Sequence, residues 1–128
     1  MKSVKIVKNR RSFTLLGPQI KTSTAIFISC HEEYPFDRRK VILSKVVFLI
    51  DCSLSCLHYN LTKRTFPNAE HIYVSGKESS QVPFPGIWQR FEKHTVILDR
   101  KYYSPEMSDY VDYMPRKRIN EIMRIYME

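Results

Sequence analysis

Glycine is scarce in this chain: three residues, Gly17, Gly76 and Gly86, in 128. That leaves no material for a glycine-rich phosphate cradle of the Walker A or GxGxxG type, and no HExxH, GxSxG or EF-hand loop is present either. Cysteine is equally rare, and Cys30, Cys52 and Cys56 form no CxxC pair. An odd, unpaired set argues against a disulfide framework and for a reduced, intracellular setting. Long apolar runs are missing too: none approaches the ~18 residues that a membrane-spanning helix requires. The charged stretch Met1 to Arg11 is followed by no apolar signal segment, so the expectation is a protein without a membrane partner. Acidic residues are absent from the first 31 positions, Glu32 being the first.

That last absence skews the charge. The net charge of +8 comes from 21 Lys and Arg against 13 Asp and Glu. Six cations (Lys2, Lys5, Lys8, Arg10, Arg11, Lys21) give the first 31 residues +6, leaving +2 for the other 97. The N-terminal quarter is therefore the first candidate surface for an acidic partner. Ser3 to Val7 and Ser12 to Leu16 read as two short strands joined around Asn9-Arg10, a basic hairpin over residues 1–17. Lysines on such a hairpin also guard an edge against aggregation.

Apolar content is 43%, ordinary for a folded chain, and 128 residues suffice for one domain with a real core. Val46 to Ile50 is an unbroken apolar run, the pattern of a strand buried on both faces. Leu54, Leu57 and Leu61 then recur at helical spacing behind a candidate N-cap, Ser53. Phe66-Pro67-Asn68 turns the chain into a strand at His71 to Ser75. Strand, crossover and strand of this length predict a parallel βαβ unit. Phe27, Phe48, Tyr73 and Ile97 centre four apolar runs, TAIFIS, VVFLID, HIYVS and TVILD, at near-regular intervals. That regularity predicts repeated strand-plus-crossover units over residues 24–99. Val41 to Leu43 suits either helix or strand, and Ile87, Trp88 and Phe91 suggest a short helix before the last run.

Residues 100–114 read as an ordered, tyrosine-rich loop whose hydroxyls stay wet. Pro115 is placed at the first position of a final helix over 115–127, with Ile119, Ile122, Met123 and Tyr126 as its apolar stripe. This stripe docks on the sheet or on a second subunit. The expected fold is thus α/β, one domain over 1–128: a mixed sheet with a parallel βαβ core, an N-terminal β-hairpin and a C-terminal helix.

Parallel strands would present Cys30-His31, Asp51-Cys52, Ser75-Gly76 and Asp99-Arg100 along one edge of the sheet, where open α/β sheets bind ligands. A thiol, an imidazole and two carboxylates are the raw material of acid/base or metal chemistry. Asp and Ser at strand ends are equally common as turn formers. Cys52 and Cys56, four apart, would suit one ion with Cys30 and His31, whereas small buried cysteines packing as apolar residues explain the same facts. No metal site or cofactor is assigned. Ser75 to Ser80 offers an anion loop beside Lys77, or simply a solvated turn.

Arg116-Lys117-Arg118 opens the last helix, where the macrodipole disfavours cations. A bound phosphate would offset that cost, and PRKR also has the form of a short import signal. The binding residues expected from charge are Lys5, Lys8, Arg10, Arg11, Arg116, Lys117 and Arg118, contacting nucleic acid or an acidic protein through phosphate-type contacts that read no sequence.

Phe66 to Gly76, FPNAEHIYVSG, resembles the turn-to-strand part of a leucine-rich repeat, with Phe66, Ala69, Ile72 and Val74 in the apolar positions and Lys77 where Asn is expected. Leu43, Val46, Phe48 and Asp51 follow the same pattern loosely. The FPNA-then-strand phrase, in a short basic chain rich in Lys, Ile and Tyr, also resembles small basic proteins of large DNA viruses of the marseillevirus kind. That resemblance implies a virus-encoded protein of the host nucleus, viral factory or virion, and transfers no catalytic residue. Two other classes stay open: a structural or virion-associated homodimer joined through Ile122 and Met123 of the last helix, and a small enzyme using Asp51 and Asp99 with Cys30 or His31.

Overall fold

The computed structural model describes residues 4–8, 19–20, 22–30, 41–53, 57, 65–76 and 94–128. The described strands are β1 (Val4–Val7), β2 (Gln19–Ile20), β3 (Thr24–Ile28), β4 (Val41–Ile42), β5 (Val46–Ile50), β6 (His71–Ser75), β7 (Thr95–Leu98) and β8 (Asp112–Tyr113). A 3-10 turn at Pro105–Met107 precedes β8, and one α-helix, α1 (Arg116–Met127), follows it. Six strands form one sheet in the order β1-β3-β5-β6-β7-β8, and every pairing in it is parallel. The fold is therefore α/β, with strands stacked in the order in which the chain makes them.

The register runs straight across the sheet. Ile6, Ile26, Phe48, Tyr73 and Ile97 occupy one row, and Val7, Phe27, Leu49, Val74 and Leu98 the next. Because successive side chains alternate between faces, these rows enter separate cores. The first core holds Val7, Phe27, Leu49, Val74 and Leu98 with Ile42, Leu57, Phe66 and Ala69 from the returning chain. The second holds Ile26, Phe48, Ile50 and Ile97, covered by Ile119, Ile122, Met123 and Tyr126 of α1. β5 reads as one apolar run because its five residues, all buried, serve both cores.

The return side is stacked as well. β2 pairs with β4 in parallel, and the Ile42 amide donates to the Thr65 carbonyl at 3.0 Å, carrying that ladder to a third turn of chain. Residues 19–20, 41–42 and 65 are thus stacked side by side on the return side, where Ile42 joins the first core. Pro67 and Asn68 make the turn that brings Phe66, 1% exposed, beneath Phe27, with ring centroids 6.2 Å apart.

Several sequence expectations change. The hairpin does not fit: β1 pairs with β3 in parallel and is the edge strand among the described residues, and the described sheet is parallel rather than mixed. Two short strands with a polar link suit a hairpin or a longer return equally, and stacking on β3 decides for the latter. The hairpin's second strand, 12–16, lies outside the described residues. So do the crossover helix, apart from buried Leu57, whose amide donates to the Ser53 carbonyl at 2.9 Å, and the helix around Trp88. Val41–Ile42 is strand. Pro115 is the N-cap of α1 rather than its first residue, its ψ of 145° being extended. Tyr102, expected to keep a wet hydroxyl, is 3% exposed. No helix among the described residues is long and apolar enough to cross a membrane.

Candidate functional site: the carboxyl edge of the sheet

β3 and β5 end alike. Ser29 and Asp51, the residues immediately after them, both have φ of 53°, a left-handed conformation that turns the chain out of the sheet. Asp tolerates this conformation better than most residues because its short side chain bonds locally. The ladder survives the turn: the Ser29 amide donates to the Ile50 carbonyl at 2.8 Å and the Asp51 amide to the Ser75 carbonyl at 2.9 Å.

One residue on, the cysteines repeat one device. Cys30 Sγ donates to the Val7 carbonyl at 3.6 Å, and Cys52 Sγ to the Phe27 carbonyl at 3.8 Å. Each thiol reaches back to the strand made one turn earlier and ties adjacent turns together. The sequence signal was present in Ala25-x-Phe27-x-x-Cys30 and Val47-x-Leu49-x-x-Cys52, the same spacing twice. Both cysteines are buried and form no disulfide among the described residues, and no group of three metal-ligating side chains forms among the described residues. Cys56 and His31, the other residues of the metal reading, lie outside the described set.

Farther along the edge, four side chains form a chain of bonds. Arg116, first residue of α1, donates through Nη1 and Nη2 to the two Asp51 carboxylate oxygens at 2.8 and 2.9 Å. Nη1 also reaches Ser75 Oγ at 3.1 Å, and Ser75 Oγ donates to Asp99 Oδ2 at 2.7 Å. Asp99, 2% exposed, accepts further from the Gly76 amide at 3.0 Å and the Lys101 amide at 3.0 Å. A buried carboxylate is sustained by such direct donors. The hydrogen bond to Asp51 holds the Arg116 guanidinium above its ordinary pKa, burial opposing it. This accounts for a cation at a helix N-terminus, because Asp51 offsets the unfavourable macrodipole.

Gly76 sits under Tyr102. A Cβ there would lie 2.5 Å from Tyr102 Oη and 3.0 Å from Cζ, so the closeness of the ring demands glycine. Burial, and then the charge of Asp99, push the Tyr102 phenol well above its usual range. The folded state thus holds this proton more tightly than the unfolded chain. Its stabilising contribution is complete below the unfolded pKa of about 10 and is lost as pH rises towards the higher folded value. Urea midpoints measured from pH 8 to 11 are expected to fall more steeply in the wild type than in Tyr102→Phe; parallel profiles would show that this phenol is not the titrating group.

The residues expected from charge fall into groups. Lys5 is half-buried in β1, and Lys8, just beyond it, is exposed. Arg10 and Arg11 lie outside the described residues. Arg116 is bonded to Asp51 and Ser75. Lys117 is exposed, and Arg118, also exposed, pairs with Glu121 at 3.2 Å. Arg100, expected at the strand-end edge but not among the binding residues, and Lys101, missed because it sits in a tyrosine-rich loop, follow Asp99 at the same edge as Lys8 and the start of α1. The two carboxylates expected to do chemistry are occupied within the network.

Comparison with protein-family models, with curated proteins and with solved structures gives no match. The site is therefore read from its own geometry.

Proposed function

We propose that this chain is a non-enzymatic binding protein that holds a polyanion, nucleic acid first among them, along the carboxyl edge of its sheet. One observation carries the reading. Parallel stacking brings Lys8, Arg100, Lys101, Lys117 and Arg118, distant in sequence, to a single edge, while Asp51 and Asp99 at that edge are taken up internally. Extending the register by one residue puts Lys8 beside Ile28 and Ile50. It then stands two strand spacings, about 10 Å, from the strand whose end anchors α1. Lys5 adds a cation on β1, while Arg10 and Arg11, also expected from the charge of the N-terminal quarter, lie outside the described residues. The resemblance to small basic proteins of large DNA viruses supports packaged or factory nucleic acid as the setting.

Fluorescence anisotropy of a labelled DNA duplex, titrated at several salt concentrations, tests this. Micromolar binding is expected, with a log-log salt slope of about −4 to −6, and glutamate at Lys8, Arg100, Lys117 and Arg118 should flatten it by roughly 0.9 for each phosphate no longer neutralised. Arg116→Ala serves as the contrast: it should leave the slope in place and cost about 1 kcal/mol of stability, as expected for a partly exposed pair. Absence of binding at low salt, or binding indifferent to the four reversals, overturns the proposal.

A further inference from the structure

The two ends of the stacked sheet are chemically opposite. At the C-terminal end, residues 103–114 contain Glu106, Asp109 and Asp112 and no lysine or arginine. All three acids are exposed. Beside them Tyr103 and Tyr110 rest half-buried on the first core, and Tyr113, 48% exposed, holds its ring 5.3 Å from that of Tyr103. Tyrosines set among charges form the kind of surface that proteins use for contacts, since the ring is apolar and the hydroxyl tolerates water. At the other end, β1 carries Lys5, with Lys8 just beyond it, and no acid. Among the described residues nothing pairs with β8 beyond β7 or with β1 beyond β3.

We propose that a second copy of this chain docks its β1 end on the β8 end of the first, head to tail, continuing the parallel sheet. Charge selects this arrangement over its alternatives. Two β1 edges would oppose lysines and two β8 ends would oppose carboxylates, whereas β1 on β8 sets cation against anion. The register favours it too. Ile6 and Ile97 share a row, and Ile97 faces Asp112, so continuing that row puts Ile6 of the second copy beside Asp112. Lys8 of the second copy then becomes its diagonal neighbour on the same sheet face. Such a contact is heterologous and does not close upon itself, so it yields open-ended assemblies rather than a fixed dimer. This differs from a dimer through Ile122 and Met123, which the structure packs on the chain's own sheet.

Light scattering on the full chain, freed of nucleic acid, tests the proposal. The mass is expected to exceed that of one chain, to rise with protein concentration and to fall with added salt. Asp112→Lys and Lys8→Asp should each return the mass to a single chain, and mixing the two variants should restore association, because each variant alone sets like charges together, whereas in the mixture reversed end meets reversed end, and unreversed meets unreversed, with opposite charge. A single-chain mass at all concentrations in low salt, association that survives both reversals, or a mixture that fails to reassociate overturns it. Duplex binding is read separately by anisotropy, so failure of one proposal does not stand for failure of the other.

Discussion

Asp99→Ala is expected to lower the free energy of unfolding by about 3–5 kcal/mol, seen as a shift in urea midpoint with little change in slope. The carboxylate is 2% exposed and receives the Ser75 hydroxyl and the amides of Gly76 and Lys101. Alanine leaves those donors without their acceptor in a site with little access to water, and each buried orphan costs about 1–3 kcal/mol. Ser75 also accepts from Arg116, so the damage travels to the anchor of α1. Asp99→Asn keeps one oxygen and should cost about half as much. If alanine were tolerated within about 1 kcal/mol, the network would be incidental rather than structural.

Phe48→Ala should cost as much, about 3–5 kcal/mol, for a different reason. Phe48 is wholly buried in the second core, stacked on Tyr73 at 4.6 Å and tilted against Tyr126 of α1 at 5.7 Å. Its loss opens a cavity between sheet and helix, where Tyr73 and Tyr126 lose a common partner. The adjacent Leu49 points the other way, into the first core. Phe48→Ala should therefore reduce the helical signal in far-ultraviolet circular dichroism before the sheet melts, whereas Leu49→Ala should lose both together. Identical melting of the two variants would mean that α1 and the first core cannot separate.

Much of this arrangement was legible in the sequence. The apolar runs marked β3, β5, β6 and β7 because a strand buried on both faces has little freedom in composition, and α1 showed its stripe from Ile119 to Tyr126. The four residue pairs expected at one edge are there where described. Partner choice was not legible: β1 satisfies the pattern of a hairpin strand, and only three-dimensional stacking gives it β3. Nor could a string of three cations reveal that its first member faces Asp51, 65 positions away. Lys8 and Arg100 follow strands of one parallel sheet for the same reason, since an edge assembled from strand ends has no signature in any one segment.

α1 has a final consequence, for cooperativity. In a stack where each turn touches only its neighbours, the ends can fray while the middle persists, because nearest-neighbour contacts carry the stability. Residues from β1, β3, β5, β6 and β7 all contribute to the core beneath α1 or pack against it. A single helix laid across many turns makes the loss of one a loss for the others. It converts a linear array, which would unzip gradually, into a unit that opens all at once.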